Sequence, residues 1–451
     1  MTYSEAIRFL YDLRLFGAEF GLENTFKLAA LAGNPQDHLR FIHVAGTNGK
    51  GSTCAMLESI YRAAGLRVGL FTSPHLVSFR ERIQVNRQLI SEAEVVRLVE
   101  ELRPLSKEFQ SDHHPTFFEV VTVMALKFFA EQKCDLVIWE TGLGGRLDAT
   151  NIVTPLAGVI TNIAFDHQQW LGDTLAKIAA EKAGIIKPGV PVITAADEPE
   201  ALAVIEKTAR EKHAPLKIVT TTDVRSRLAG TLAPPLVGEH QRSNAVLTLA
   251  VIEELQDKIP VPAEKIRAGL GTVNWPGRLQ LVRTQSGQNV LLDGAHNVAG
   301  ATALREALMG APSTVSANCE CSISHAELVL GAPGRMTLIL GVLQDKDWPQ
   351  ICRTLAPMAA RIFTVPVASE RTAAARELAA ACRAANPAVE TSACESLRVA
   401  LDQAAGDRFV VVTGSLYLVG EALELLGLSL SAGDERALNE WTACSAATPV
   451  V

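Results

Sequence analysis

One stretch, residues 41–53, constrains the fold more than any other part of the chain, and its sequence is FIHVAGTNGKGST. A short apolar run leads into a glycine-rich turn, and a lysine and a serine precede an apolar helical pattern. This order of strand, turn and helix builds a phosphate cradle, because glycines let backbone N–H groups point at phosphate oxygens and the helix N-terminus adds positive potential. The stretch therefore predicts an α/β unit that binds a nucleoside triphosphate.

The turn departs from the general phosphate-loop pattern at two places. Val44 stands where that pattern has its first glycine, and Gly51 stands where a serine or threonine should follow Lys50. Ser52 and Thr53 supply hydroxyls one and two places late. An ordinary glycine-rich turn with a surface lysine is the alternative interpretation.

Composition bounds the class of protein. The chain has 451 residues, of which 48% are hydrophobic and 20% charged, as in a globular protein of two or three domains. The formal charge of −7 argues against broad binding of nucleic acid or of a membrane surface. The N-terminus lacks a signal-peptide pattern and no apolar run reaches the length of a bilayer span, so we expect a cytoplasmic protein.

The cysteines indicate reduced thiols, because the eight of them form no CxxC pair. Cys319, Cys321 and His325 lie close together in a serine-rich stretch. A metal site there is the less favoured interpretation, since no second pair of ligands accompanies them.

Short apolar runs alternate with helical patterns along most of the chain. Helical patterns occur at 116–132 and 174–186, and the predicted buried strands are at 68–73, 134–142, 156–163, 191–195, 289–295, 336–342, 361–367 and 409–415. This alternation predicts parallel sheets covered by helices on both faces. The fold class is therefore α/β, with a P-loop-containing, mostly parallel sheet domain followed by a smaller Rossmann-like α/β domain.

The break between the two domains is expected near residues 274–278, where a new alternation begins. We assign residues 1–282 to the first domain and 283–451 to the second. Residues 311–334 are predicted to form an irregular insertion, and the chain after about residue 430 is predicted to be a frayed tail.

Polar residues follow nearly every predicted strand, at the sheet edge where such folds bind ligands. Glu140 follows one strand and His167 ends the next apolar run, so they are candidate Mg²⁺ ligands together with Ser73. The alternatives are an ion pair of Glu140 with Arg146, a packed or capping histidine, and an ordinary Ser-Pro turn.

These motifs together resemble one family. In chain order they are HVAGTNGKGST, LFTSPHLVSFRERI, ETGLGGRLDATN, ITNIAFDHQQWLG, IAAEKAGIIKPGVP, NWPGRLQ, LLDGAHN and GVLQDKD. The set resembles the folylpolyglutamate synthase/dihydrofolate synthase family of the Mur ligase superfamily over residues 15–425, whereas GTNGKGS alone indicates only the superfamily. The resemblance implies that ATP phosphorylates a pterin carboxylate and that the amine of L-glutamate then attacks the acyl phosphate, with ADP and phosphate as products.

The resemblance also implies roles for individual residues. Gly49, Lys50, Gly51 and Ser52 match groups around the ATP phosphates, and Asn244, Arg278 and Asp293 match nucleotide contacts. Ser73, Glu140 and His167 match Mg²⁺ ligands. Lys50, Lys182 and His296 match catalytic groups, with Lys182 carbamylated in the family; from sequence alone, Lys182 is a solvated helix lysine.

Three short segments match the family's pterin-binding positions. They are Gly21 and Leu22; Thr116, Phe117, Phe118 and Glu119; and Leu147, Asp148 and Ala149. An aromatic ring at the start of a helix is more often core, and Asp148 is equally a candidate turn cap. The matches at residues 116–119 and 147–149 resemble the corresponding motifs of bacterial bifunctional enzymes. The expected small-molecule partners are therefore dihydropteroate, reduced folates and L-glutamate. We expect a monomer without nucleic-acid or membrane partners.

Two other functions compete with this one. A cell-wall ligase of the same superfamily typically has serine or threonine directly after the loop lysine, where this chain has Gly51. A non-catalytic nucleotide-binding protein would need the loop but not Glu140, His167 and Lys182 together.

Overall fold

The computed structural model describes residues 1–16, 21–109, 114–227, 235–310, 336–429 and 433–439. These residues form two sheets, each covered by helices on both faces. The first sheet contains β1 (Phe41–Ala45), β2 (Val68–Phe71), β3 (Ile83–Val85), β4 (Gln88–Leu89), β5 (Leu136–Glu140), β6 (Ala157–Ile160), β7 (Val192–Thr194) and β8 (Leu216–Ile218). The second contains β9 (Gln280–Arg283), β10 (Asn289–Leu292), β11 (Met336–Leu340), β12 (Ala359–Thr364), β13 (Glu390–Ala393) and β14 (Phe409–Thr413).

The helices alternate with the strands, as the sequence pattern predicts. In the first domain they are α1 (Tyr3–Asp12), α2 (Glu23–Leu31), α3 (Lys50–Ala63), α4 (Glu92–Leu105), α5 (Phe117–Glu131), α6 (Gln168–Leu171), α7 (Leu175–Ala183), α8 (Pro199–Glu211), α9 (Thr221–Arg227), α10 (Glu239–Glu254) and α11 (Ala263–Gly271). In the second they are α12 (Val298–Leu308), α13 (Trp348–Leu355), α14 (Ala375–Ala385), α15 (Leu397–Gln403) and α16 (Leu416–Leu425). None of these helices is both long and apolar enough to cross a bilayer.

Strand order brings the functional loops of the first domain together. The order is β4-β3-β2-β5-β1-β6-β7-β8, so β1 lies between β5 and β6 and runs parallel to both. Val44 pairs with Glu140 and Ala45 pairs with Ile160. The three segments that follow these strands therefore leave the same edge of the sheet side by side.

The second sheet has the order β13-β12-β11-β14-β10-β9 and is parallel except for β9. Antiparallel pairing also adds β3 and β4 to the edge of the first sheet. The eight predicted strands are all confirmed, and the mostly parallel α/β class with them. Short edge strands such as β4, β8 and β13 were not predicted, because their residues carry no apolar run.

The predicted domain boundary falls inside β9. Residues 280–283 pair with β10, and they cross the expected division between residues 282 and 283. We therefore propose a division before Gln280, since strand pairing places β9 in the second sheet.

Aromatic and branched side chains fill both faces of the first sheet. On one face Trp139 stacks on Phe71 with ring centroids 4.4 Å apart, under α1, α4 and α5. On the other face Ile42 and Val44 pack under α3 and α10. Burial on both faces explains why the central strands are continuously apolar.

The end of the chain departs from its prediction. Gly433–Asn439 forms a short 3₁₀ segment in which Leu438 is buried, so the expectation of a frayed tail is wrong for these residues. Residues 311–334, including Cys319, Cys321 and His325, lie outside the described residues. The described cysteines, which are Cys54, Cys134, Cys352, Cys382 and Cys394, form no disulfide among themselves.

Candidate active site

A cavity of about 870 Å³ lies between the two domains, at the carboxyl ends of the central strands of both sheets. Of the residues predicted for the site, Leu22 is absent from its lining and packs against the first-domain core instead. Every other predicted site residue lines the cavity. These are Gly21, Gly49, Lys50, Gly51, Ser52, Ser73, Thr116, Phe117, Phe118, Glu119, Glu140, Leu147, Asp148, Ala149, His167, Lys182, Asn244, Arg278, Asp293 and His296.

The glycine-rich turn joins β1 to α3 and leaves a helix N-terminus open to the cavity. No side chain caps α3, whereas Thr2 caps α1 and Thr116 caps α5. The unpaired N–H groups of the first turn of α3 are therefore available to an anion. The Lys50 ammonium donates to the Gly46 and Thr47 carbonyls, at 3.1 and 3.3 Å, which holds it over the turn.

Close neighbours restrict the side chain at two positions of this turn. Gly49 has φ +84°, and a Cβ there would lie 2.4 Å from Asn244 Oδ1. Gly51 has an ordinary helical backbone, but a Cβ there would lie 3.0 Å from Nε1 of the Trp275 indole. Close packing against Trp275 explains why serine or threonine does not directly follow Lys50 in this chain.

Neighbouring strands brace the turn. Asn162 accepts from Thr47 N through its carbonyl and from Asn48 N through Oδ1, both at 2.8 Å. Thr161 Oγ1 donates to the Asn48 carbonyl at 2.6 Å. The first domain thus supplies most of the bonds that hold the turn, and the second domain adds one, from Asn297 Nδ2 to Asn48 Oδ1 at 2.9 Å.

Glu140 and Ser73 meet at this edge. Ser73 N donates to Glu140 Oε2 at 3.2 Å, and Oε1 has no hydrogen-bond partner among the described residues. Burial raises the pKa of Glu140 to about 7, against the opposing influence of the Lys50 cation and the Ser73 N–H. A bound cation would stabilise the ionised form of this buried carboxylate, because its charge compensates for the lost hydration.

His167 directly precedes α6 and has a left-handed backbone with φ +50°. Burial lowers the pKa of His167 to about 3, and the Lys346 cation adds to this effect. Its neutral ring is the form that ligates metals. Among the described residues no group of three His, Cys, Asp or Glu side chains could hold a metal by itself, so ligands such as the Ser73 hydroxyl and phosphate oxygens would have to complete the set.

Lys182 is a buried amine, which corrects the view from sequence alone of a solvated helix lysine. It lies on α7 and donates to the Gly46 carbonyl at 2.8 Å. Burial lowers the pKa of Lys182 to about 7, and the nearby Lys50 cation contributes. Near neutral pH a large share of this amine is therefore uncharged and nucleophilic.

Asp166 joins the two domains, although it was not among the predicted site residues. It accepts from Lys346 Nζ at 2.6 Å and from Asn297 Nδ2 at 3.0 Å, and His296 Nε2 lies 3.5 Å away. Burial alone would raise the pKa of Asp166, but the hydrogen bond from His296 and the cationic charge of Lys346 hold it well below the usual range. Asp166, Asn297 and Lys346 are the site residues that sequence reasoning missed.

The loop after β10 positions Asp293 and His296 of the second domain, and Arg278 and Asn244 approach the cavity from the first. Asp293 accepts from Leu279 N at 2.9 Å and from Ala295 N at 3.0 Å, which fixes the turn that carries His296. Burial lowers the pKa of Arg278, while the Asp293 carboxylate opposes that change. Asn244 lies directly against Gly49 of the phosphate turn, and its amide donates to Gln241, which donates to Ser52 Oγ.

Several of the predicted pterin-binding residues also cap or pack elements of the first domain. Thr116 and Glu119 form the capping box of α5, and Phe117 belongs to the first-domain core. Asp148 accepts from Gly142 N, Leu143 N and Thr150 N at 2.8–3.0 Å and from the Thr150 hydroxyl. These bonds make Asp148 a turn cap, and its contact with a pterin stays a prediction.

Comparison with known proteins agrees with this geometry. Residues 44–252 match the family model described as the Mur ligase middle domain. The chain is 35% identical over 442 residues to the dihydrofolate synthase/folylpolyglutamate synthase of Bacillus subtilis, covering 93% of this chain and 98% of that protein. It is 33% identical over 442 residues to the Escherichia coli protein of the same name, covering 95% and 96%.

Solved structures show the same fold. The Escherichia coli FolC structure in complex with DHPP and ADP aligns with a TM-score of 0.78 at 31% identity, covering 95% of this chain and 98% of that one. The Mycobacterium tuberculosis folylpolyglutamate synthase complexed with ADP aligns with a TM-score of 0.81 at 30% identity, covering 94% and 99%. The chain therefore belongs to the dihydrofolate synthase/folylpolyglutamate synthase family of Mur ligases.

Proposed function

We propose that this protein is an ADP-forming ligase that joins L-glutamate to the carboxylate of dihydropteroate and of reduced folates. The observation that carries the proposal is one cavity that combines an uncapped helix N-terminus, Lys50, the buried Glu140 and the rings of Phe117 and Phe118. Family membership supports it, because relatives similar over nearly their whole length are named for both activities.

The reaction needs an activated carboxylate, because a free carboxylate is a poor electrophile. A carboxylate oxygen of the pterin substrate attacks the γ-phosphorus of ATP, the bond to the bridging oxygen breaks, and ADP leaves. The glutamate nitrogen then attacks the acyl carbon, loses a proton, and phosphate departs. Lys50 and the N–H groups at the start of α3 stabilise the negative charge of the transferred phosphoryl group.

Ser73, Glu140 and His167 would hold Mg²⁺, and the unpartnered Glu140 Oε1 fits that role. When bound, the cation would neutralise phosphate charge during transfer. Arg278 would contact the nucleotide from the end of the first domain and Asp293 from the second, with His296 near the reacting phosphate. Enclosure between the domains would keep water away from the acyl phosphate.

The direct test supplies ATP, Mg²⁺, glutamate and either dihydropteroate or tetrahydrofolate, side by side. We expect release of phosphate and formation of dihydrofolate or of a longer polyglutamate, and a Glu140→Ala variant that binds nucleotide but turns over at least about 100-fold more slowly. Absence of product with every pterin acceptor would contradict the proposal. Phosphate release stimulated by a UDP-linked substrate would favour the cell-wall alternative.

Lys182 is proposed to be carbamylated. Its neutral amine nitrogen bonds to the carbon of CO₂ and releases a proton, which converts a buried neutral amine beside Lys50 into an anionic carbamate. The depressed pKa and the burial of Lys182 support this step. A carbamate at this place would pair with Lys50 and with a bound cation.

We expect Lys182→Ala to lose most activity, about 100-fold, and to recover part of it when a small carboxylate such as acetate is added. Intact mass measured at neutral pH should show the added CO₂ on the parent but not on the variant. Lys177→Ala, an exposed change on the same helix, is the control and should behave as the parent. Full activity of Lys182→Ala without added carboxylate would disprove the carbamate.

A further inference from the structure

The chain returns to the first domain after the second sheet is complete. Residues 433–439, which we call the strap, contact α1 and the short helix Phe79–Arg82. Leu438 is 1% exposed and belongs to the first-domain core, and both Leu438 and Asn439 line the active-site cavity. Residues beyond the second domain thus form part of the wall of the first.

Glu435 anchors the strap. Its Oε2 accepts from Phe79 N at 2.7 Å, from Ser78 Oγ at 2.9 Å and from the Tyr3 hydroxyl at 3.1 Å. His75 Nε2 donates to the Glu435 carbonyl at 2.9 Å. This number of bonds to one buried residue fixes the strap against the loop that follows Ser73.

Asn439 connects the strap to three residues, two of which, Arg82 and Tyr417, line the cavity. Its Oδ1 accepts from Arg82 Nη2, and its Nδ2 donates to the His75 carbonyl at 3.0 Å. Its own carbonyl accepts from the Tyr417 hydroxyl at 2.6 Å, and Tyr417 belongs to the second domain. Asn439 therefore sets the position of Arg82 relative to both domains.

Arg82 is a buried cation that borders the cavity, with 4% of its surface exposed. Its partners among the described residues are Asn439 Oδ1, His75 Nδ1 at 2.9 Å and the ring of Phe117 at 5.4 Å, and none of them carries negative charge. Burial lowers the pKa of Arg82, whereas Tyr417, Glu81 and Glu140 oppose that change, and neither glutamate lies within ion-pair distance of the guanidinium. Burying a guanidinium without a close carboxylate is costly, and a carboxylate is the ligand its planar fork fits best.

We propose that the strap completes the substrate pocket and holds Arg82 as the receptor for a substrate carboxylate. This inference rests on the proposed function, which supplies two such groups, one on the pterin acceptor and one on the incoming glutamate. Asn439 is then a positioning residue that acts through Arg82, and Leu438 closes the pocket wall beside it.

The test compares two substitutions at Asn439 with a control substitution at Asn386 in the second domain. Asn439→Ala removes the acceptor that orients Arg82, and we expect the KM for dihydropteroate or for glutamate to rise about tenfold while the KM for ATP stays unchanged. Asn439→Asp keeps an acceptor for Arg82 but gives it a carboxylate partner, which competes with substrate. This variant should raise the same KM further while its melting temperature is no lower than that of Asn439→Ala.

Asn386→Ala is the matched control, because Asn386 donates to the Ala356 carbonyl at 3.0 Å in the second domain and does not line the cavity. It should leave every KM unchanged. A rise confined to dihydropteroate assigns Arg82 to the acceptor carboxylate, and a rise confined to glutamate assigns it to the incoming one. Unchanged KM values for both substrates, or a rise for ATP alone, would overturn the inference.

Failure of the proposed function is measured separately. Absence of product from the parent protein contradicts the proposed reaction, whereas the inference about the strap is judged by the ratio of each variant to the parent. If the parent makes no product, the dissociation constant for dihydropteroate takes the place of KM, and an Asn439→Asp variant that binds as tightly as the parent overturns the inference.

Discussion

The two domains contribute to the cavity in different ways. In the first, the phosphate turn is braced by its own neighbours, Thr161 and Asn162, and by Lys182. In the second, Asn297 and Lys346 reach across the gap to Asp166 of the first domain. The backbone of the nucleotide cradle is therefore held mainly by the first domain, with one bond from Asn297 to Asn48 added by the second, whereas the contacts of Asp166 depend on how the domains dock.

The largest effect should come from breaking the contact between the domains. Asp166→Asn keeps the shape of the side chain but leaves Lys346 buried without its nearest counter-charge, and the unfolding free energy should fall by about 3–5 kcal/mol. Activity should fall with it. Denaturant unfolding and steady-state rates are the measurements.

A double variant sharpens this test. Asp166→Asn combined with Lys346→Met should recover much of the stability, because no unpaired charge remains buried, yet it should not recover activity. Asp173→Asn breaks an exposed pair with Lys177 and should change neither quantity. Equal recovery of stability and activity would mean that the contact between domains only supports the fold.

The second effect acts on the first domain alone. His43 lies on β1 with no exposed surface, and its Nε2 lies 2.9 Å from Thr150 Oγ1. Burial lowers the pKa of His43 to about 3 from an ordinary 6.5, so protonation favours the unfolded chain. The stability that this neutral ring contributes is complete above pH 6.5 and is lost as the pH falls towards 3.

Replacing His43 with Gln removes this titration. Below pH 6.5 the unfolding free energy of the parent should fall relative to that of the variant by about 1.4 kcal/mol per pH unit. Above that pH the difference between the two proteins should be constant. Parallel profiles from neutral to acid pH would show that His43 is not buried as a neutral ring.

The smallest expected effect comes from alanine substitutions at two glycines, which distinguish the cost of backbone strain from an effect on nucleotide binding. Gly49 and Gly33 both have φ near +85°, at +84° and +87°, but only Gly49 has a close neighbour, whereas nothing lies within 4 Å of a Cβ added at Gly33. Alanine at either position should cost about 1–2 kcal/mol of stability through left-handed strain. Only Gly49→Ala should also weaken nucleotide binding, by at least about tenfold. Equal nucleotide affinity in the two variants would show that the cradle tolerates a side chain.

Much of the fold follows from local patterns. The eight apolar runs became the buried strands because a strand covered on both faces must be apolar throughout, and Thr116 and Glu119 formed the capping box that their spacing favours. The hairpin of β3 and β4 was not predicted, because partly polar edge strands lack that signal. The tail prediction failed since polar composition does not show that Leu438 has a core to enter.

Some features of the site likewise follow from local sequence patterns, whereas others depend on tertiary packing. The sequence by itself determined the phosphate turn, the polar residues after each strand and, through the order of motifs, the family. Only the tertiary structure decided that Lys182 is a buried amine, that Asp166 joins the domains and that the strap holds Arg82. Burial, counter-charge and contact between residues distant along the chain arise from packing, and a one-dimensional pattern carries no measure of them.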